Sequence, residues 1–361
     1  MNFKIKFAAT LFAAALMSGT TFAQKHHKMD KCDKSFYIEE WDHQAPTVDA
    51  FNFVRAETDL QMKAYSTAPF VFGQLTPIRK AYDVNHQLTV SGNRDTFYSF
   101  GVFDLSKSDL TIELPDSKGR YMTLMPISED HDVYRGLNAP GTYTFKQSEI
   151  GTRYIIFVVR ILVNPNDPKD VEIVHNLQDG IKVTQKDKGD ISGIPEWNED
   201  ELLAMRKAYN TLGSSATSSA RFFGVKCDNS YLDKAMGVAV GWGGMQEKDA
   251  KYIPAQVAKN DGKTAYTLTV PKDVPVDGFW SVTVYNKDRY MVPNEYDSYS
   301  INSLTAKKNK DGTVTLHFGG DPKADNYLYI PEGWLYIIRF YQPHQEIIDG
   351  TWTFPEAVEV K

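Results

Sequence analysis

From about Leu88 to Val163 hydrophobic and polar residues alternate with period two, the pattern of half-buried strands. The segments SDLTIEL, RYMTLMP, GTYTFKQ and RYIIFVVRILV read as strands of a small sandwich, with turns at Pro115-Asp116, Lys118-Gly119 and Pro140-Gly141. In the last segment both faces are apolar, which predicts a central strand covered on both sides. Period two returns from Thr264 onward in KTAYTLTVP, GFWSVTVYN, TVTLHFG and WLYIIRFYQ, the pattern of an antiparallel sandwich or jelly roll. Helical spacing fills the gaps. Thr47 reads as an N-cap before DAFNFVRAETDLQMKAY, where Phe51, Val54, Thr58 and Met62 recur at helical intervals. Asp167 to Ile181, the run EDELLAMRKAYNTL behind Asn198, and Asn229 to Val240 continue that helical signal.

Ahead of these elements, Lys4 and Lys6 precede an apolar run from Phe7 to Met17 and then small residues ending Thr21-Phe22-Ala23. That order predicts a secretory signal peptide cleaved after Ala23, and so a periplasmic protein. The run is too short to cross ~30 Å of hydrocarbon, and no later stretch predicts a membrane span. The organisation expected is therefore a signal peptide over 1–23 and a flexible lead-in over 24–45. An N-terminal helix and β-sandwich over 46–185, a helical element over 186–250 and a C-terminal jelly roll over 251–361 follow.

The charge balance is acidic, with 40 Lys and Arg against 46 Asp and Glu, and losing Lys4 and Lys6 with the leader makes it more so. Nucleic acid is thereby disfavoured as a partner. The cysteines, Cys32 and Cys227, allow one long-range bridge in an oxidising compartment, or else one thiol in the lead-in and one near a helix. Gly-x-Ser-x-Gly, His-Glu-x-x-His and Ser-x-x-Lys signatures are all missing from the sequence. His26, His27 and Cys32 have no ordered metal-ligand spacing.

Candidate chemistry comes from polar groups set among apolar ones. Arg160 and Arg339 each interrupt a strongly apolar strand, and a buried guanidinium must find a partner. Arg339 shares its face with Leu335, Ile337 and Tyr341, so it either closes an ion pair with Asp95, Glu332, Glu346 or Asp349 or lines an anion-accepting cleft. Asn93, Arg94, Asp95 and Tyr98 form the densest polar cluster beside a strand, suited to positioning a substrate or to acid and base work, or to knitting two sheets together. His131 stands in the acid-rich loop SEDHDV, which predicts a raised proton affinity in a solvated turn, a base or a metal site. Trp280, Tyr285, Tyr290, Tyr296 and Tyr299 offer either an aromatic platform for sugars or core.

At these residues a family resemblance becomes legible. NRDTFYSFGVFDLSKSDLTIELPDSKGRYMTLMPISED resembles the bacterial domain-of-unknown-function family numbered 1254, differing in Arg94 where many relatives carry asparagine. DGFWSVTVYN, DGTVTLHFG and NYLYIPEGWLYIIRFYQPHQEIIDGTWTFPEA resemble the companion family numbered 1214, differing in Tyr327 where tryptophan is frequent. The resemblance implies an exported two-domain protein, mainly β, with an immunoglobulin-like sandwich, a small helical element and a C-terminal jelly roll; it implies no activity.

Two functional readings follow. In the first, the protein is a periplasmic small-molecule enzyme, hydrolase-like, working in the cleft between its β domains. Asp95 and Tyr98 are then the catalytic candidates, and Asn93, Arg94, Arg339 and Trp280 the ligand-binding ones. In the second it is a non-catalytic envelope protein that binds carbohydrate or another protein. Neither reading calls for a metal or another cofactor.

Overall fold

A computed structural model describes residues 47–87, 90–216 and 218–361. The leader and its cleavage point, His26, His27 and Cys32 lie outside the described residues. Cys227 is disulfide-bonded rather than a free thiol.

The chain opens with α1 (Phe53–Ala64), then runs through β1 (Thr76–Pro77), β2 (Thr96–Asp104), β3 (Leu110–Leu114), β4 (Met122–Ser128), β5 (Gly141–Phe145), α2 (Gln147–Ile150), β6 (Tyr154–Leu162), α3 (Pro168–Asp179) and β7 (Lys182–Gln185). These strands form one sheet in the order β1-β2-β6-β4 and a second in the order β5-β3-β7. Between them lies a core built from alternate residues of each strand, among them Phe97, Phe103, Ile112, Leu124, Phe157 and Val159, with Val174 of α3 closing one side.

Next come α4 (Glu199–Ser214) and α5 (Tyr231–Gly241), each started by a polar cap. The Asn198 side chain accepts from the Glu201 amide at 3.2 Å, and Ser230 and Asp233 form a reciprocal capping box. The remaining elements are β8 (Ala250–Ala255), β9 (Tyr266–Val270), β10 (Val276–Tyr285), β11 (Ser300–Asn302), β12 (Val314–Phe318), β13 (Tyr327–Leu328), β14 (Leu335–Pro343), α6 (Gln345–Ile348) and β15 (Val358–Glu359). Sheets in the orders β11-β10-β14-β8 and β13-β12-β9-β15 enclose a second core around Leu268, Trp280, Leu316, Phe318, Trp334 and Phe340. The protein is thus mostly β with a helical element.

Three features depart from the sequence pattern. Helix α1 begins at Phe53, not after Thr47, because the Asp49 side chain accepts from the amides of Phe51 and Asn52 and holds a turn there, leaving Phe51 exposed. It packs against α4 and α5 around Phe53, Val54, Leu202, Tyr209 and Val238, so the helical element takes its third helix from the start of the chain. Strands β7 and β8 are pairing partners of β3 and β14, although their residues, Ala250 apart, are exposed or only half-buried.

Strand β6 is buried along its whole length, and β14 at every position but Gln342. One face of each fills its own sandwich. The opposite faces meet across a seam where Tyr121, Met125, Ile156 and Val158 from the first sandwich pack with Phe279, Tyr341, Met245 and Ala250. The Tyr341 ring stacks on Phe279 at 4.1 Å, and Tyr121 stands edge-on to Phe279 at 5.1 Å.

Candidate functional site

Both arginines of the apolar strands lie on this seam, one from each side. Arg160 sits on β6 between Tyr98 of β2 and Thr123 of β4 in register. It is buried, and its guanidinium donates to the Gly243 carbonyl at 3.1 Å, touches Met125 Sδ at 3.7 Å and lies over the Tyr98 ring at 5.4 Å. No carboxylate pairs with it among the described residues. The groups whose field it feels most are the hydroxyls of Tyr98, Tyr252, Tyr121 and Tyr341. Burial raises the pKa of Tyr121, Tyr252 and Tyr341, and that of Tyr65 nearby to about 12, so near neutrality these are neutral dipoles rather than counter-charges. The hydroxyls of Tyr65, Tyr98 and Tyr252 take part in no side-chain hydrogen bond among the described residues, and these rings and Phe100 are only half buried. The guanidinium therefore sits beside half-buried aromatic rings.

Arg339 is built differently. On β14 it stands between Ser281 of β10 and Tyr252 of β8 in register. It donates to Thr283 Oγ1 at 2.9 Å, the Ser91 carbonyl at 2.8 Å and the Tyr285 hydroxyl at 2.5 Å, with the charge of Asp95 in range. Asp95 closes the wall. Its Oδ1 accepts from Ser300 at 2.7 Å and Asn302 at 2.9 Å, whereas Oδ2, fully buried, has no partner among the described residues. Ser281 Oγ and Thr123 Oγ1, beside the two arginines, are likewise buried without partners among the described residues. Buried polar atoms are nearly always satisfied, so three orphans along one seam make it the candidate place for a further polar partner. The Tyr252 and Tyr341 hydroxyls feel both arginines and join the two ends.

Of the residues singled out from sequence, Asn93, Asp95 and Arg339 meet here, with Asn93 Nδ2 donating to the Tyr341 hydroxyl at 2.8 Å, and Tyr98 lies under Arg160. Two do not. Arg94 turns away to donate to the Tyr82 carbonyl at 3.0 Å and to lie over the Tyr299 ring, its neighbour Asp297 being 3.5 Å away. Trp280 faces the opposite side of β10, in the second sandwich core 6.2 Å from Phe354, because alternation puts it on the face away from Phe279 and Ser281.

The tyrosines of the supposed platform separate too: Tyr285 and Tyr299 are buried and Tyr296 is exposed. His131 is not in a solvated turn. It is buried, its Nε2 accepts from the Gly243 amide at 3.1 Å, and burial, with Lys234 adding to it, lowers its pKa to about 3. Gly243 adopts φ +73, which suits glycine, and its backbone N–H donates to His131 while its carbonyl accepts from Arg160. Among the described residues no cluster of His, Cys, Asp and Glu is arranged to hold a metal ion.

Sequence reasoning missed Tyr252, Ser281, Thr283, Ser300 and Asn302. Tyr252 lies on the unrecognised β8, and the small hydroxyls give no signal until their strands are paired.

Residues 72–185 match the family DUF1254, described as a protein of unknown function, and residues 250–345 match DUF1214, described in the same words. The chain is a DUF1254–DUF1214 protein. Its DUF1254 region supplies Asn93, Asp95, Tyr98 and Arg160, and its DUF1214 region Tyr252, Ser281 and Arg339, so the site exists only where the two meet. A solved structure of similar fold is the VPA0106 protein of Vibrio parahaemolyticus, 19% identical over 87% of this chain and 98% of that one, with a TM-score of 0.61. An uncharacterised Burkholderia cenocepacia protein aligns over 86% and 89% of the two chains at 13% identity and a TM-score of 0.45. No curated protein matches.

A separate cleft of about 510 Å³ runs past Pro126, Tyr134, Arg135, Leu137 and Phe145. Its arginine is already paired with Asp249 at 2.6 Å, and none of its lining side chains carries a buried orphan atom, so the chemistry points to the seam instead.

Proposed function

We propose that this DUF1254–DUF1214 protein is an exported, periplasmic small-molecule protein that takes an organic anion into the seam between its sandwiches. Arg160 carries this reading: a buried guanidinium among neutral tyrosines, without an acid among the described residues, is costly unless an anion completes it. Turnover, on this reading, falls to Asp95, whose free Oδ2 is the seam's available proton acceptor, with Arg160 as anchor and Tyr98 as the surface beneath it. The small-molecule reading is favoured over surface recognition because these groups face inward.

A thermal-shift and calorimetric screen of the mature protein against organic acids, sugars and amino acids tests it, with Arg160→Gln as control. Organic acids are expected to raise the melting temperature of the parent and to lose that effect in the variant. Stabilisation by sugars alone, unchanged in Arg160→Gln, would move the function to the protein's outer surface.

A further inference from the structure

We infer that the anion is a monocarboxylate bearing a neutral hydroxyl, its carboxylate on Arg160 and its hydroxyl toward Asp95 and Ser281. This rests on the reading that the seam takes an anion, and specifies which.

Charge decides the first half. Among the described residues, Arg160, Arg339 and Asp95 are the charged side chains that build the seam. Asp249, whose field reaches Tyr121, is already closed by Arg135 at 2.6 Å and by the Gly136 amide at 2.9 Å. Arg339 and Asp95 offset one another, which leaves the single positive charge of Arg160. A monoanion neutralises it. A dicarboxylate would leave a net negative charge among apolar rings, and a zwitterion would leave the guanidinium uncompensated.

The orphan oxygens decide the second half. Among the described residues Asp95 Oδ2 is an acceptor without a donor, and Ser281 Oγ a hydroxyl without any partner; Asn302 links them, donating to Asp95 and pairing in register with Ser281. An incoming O–H satisfies the acceptor without changing the charge count, whereas an ammonium would change it. These oxygens lie at the Arg339 end of the seam and Arg160 at the other, so carboxylate and hydroxyl belong to opposite ends of the ligand.

The test uses the intact mature protein and isothermal titration with gamma-hydroxybutyrate, butyrate, succinate, gamma-aminobutyrate, para-hydroxyphenylacetate and phenylacetate. A hydroxy acid is expected to bind about tenfold or more tightly than its deoxy parent, and gamma-hydroxybutyrate more tightly than succinate or gamma-aminobutyrate. Arg160→Gln should abolish all carboxylate binding. Asp95→Asn should erase the hydroxyl preference and raise succinate above gamma-hydroxybutyrate, and Ser281→Ala, a change too small to unfold the sheet, should cut the hydroxyl preference by itself. Equal binding of hydroxy and deoxy acids, or tightest binding of succinate in the parent, overturns this inference while Arg160-dependent binding keeps the anion reading. Loss of Arg160 dependence for every compound overturns both.

Discussion

Taking a guanidinium out of water costs several kcal/mol, and the two arginines of the seam meet that cost differently. Arg339 has three hydrogen-bond acceptors and the charge of Asp95, whereas Arg160 has one carbonyl and a ring of neutral tyrosines. Replacing each with methionine should therefore act in opposite directions. In urea unfolding without ligand, Arg160→Met is expected to leave stability unchanged or raise it by about 1–3 kcal/mol. Arg339→Met is expected to lower it by about 3–5 kcal/mol, since the buried Thr283, Ser91 and Tyr285 acceptors lose their donor and Asp95, still held by Ser300 and Asn302, loses the nearby positive charge. Equal losses in both variants would make Arg160 a structural residue and remove the main support for a ligand site. The pairing of these roles was half legible in the sequence. An arginine inside an apolar strand announces a buried cation, but the sequence cannot say which of two such residues meets an acid.

At the scale of elements, α1 ties the helical element to the first sandwich through charge. Arg206 of α4 holds Glu57 at 2.7 Å, and Arg55 donates to Asp130, on the loop after β4, at 3.0 Å. Asp59, on the same helix, accepts from Trp197 Nε1 at 2.9 Å and lies against Glu129. Burial first, and then the Glu129 charge, push its carboxyl well above the ordinary range. A group whose pKa rises on folding contributes stability that is fully present below its unfolded value and lost as pH climbs through the folded one. Asp59→Asn, which keeps an acceptor for Trp197 and cannot ionise, should flatten the fall in melting temperature on the alkaline side of the ordinary carboxylate range. An unchanged slope would show that Asp59 is ionised in the folded protein. The caps at Asn198 and the helical period of α4 and α5 were readable because they depend on neighbours within one turn. The start of α1 was not, since an Asx turn at Asp49 and a helix N-cap at Thr47 use similar residues.

For the whole molecule, the decisive contact is sheet on sheet. Tyr121, Met125 and Ile156 bury themselves against Phe279, Tyr341 and Met245, so neither sandwich keeps a wet outer face where they meet. Each fully buried apolar side chain there contributes about 1.5–3 kcal/mol, which couples the halves. Calorimetry of the parent is expected to show one cooperative transition, and Phe279→Asp, which puts a charge beside Tyr121 and Tyr341, to split it into two. Two transitions in the parent would mean that the seam is a loose joint.

The sequence by itself determined the secondary elements with strong periods, the division into two β regions around helices, the family resemblance, and the presence of Arg160 and Arg339 in buried strands. These follow from spacing along one chain, where a strand's alternation or a helix's cap is a local matter. Tertiary structure decided which of the two faces of each strand becomes a core and which becomes the seam. That choice carried Trp280 into the second sandwich, kept Asp95 beside Ser281 and Asn302, gathered tyrosines from separate strands around Arg160, and made His131 a buried neutral base instead of a solvated cation. The reason is physical: whether a polar atom is satisfied depends on what stands opposite it after packing, and residues some two hundred positions apart face one another only once both sheets have closed.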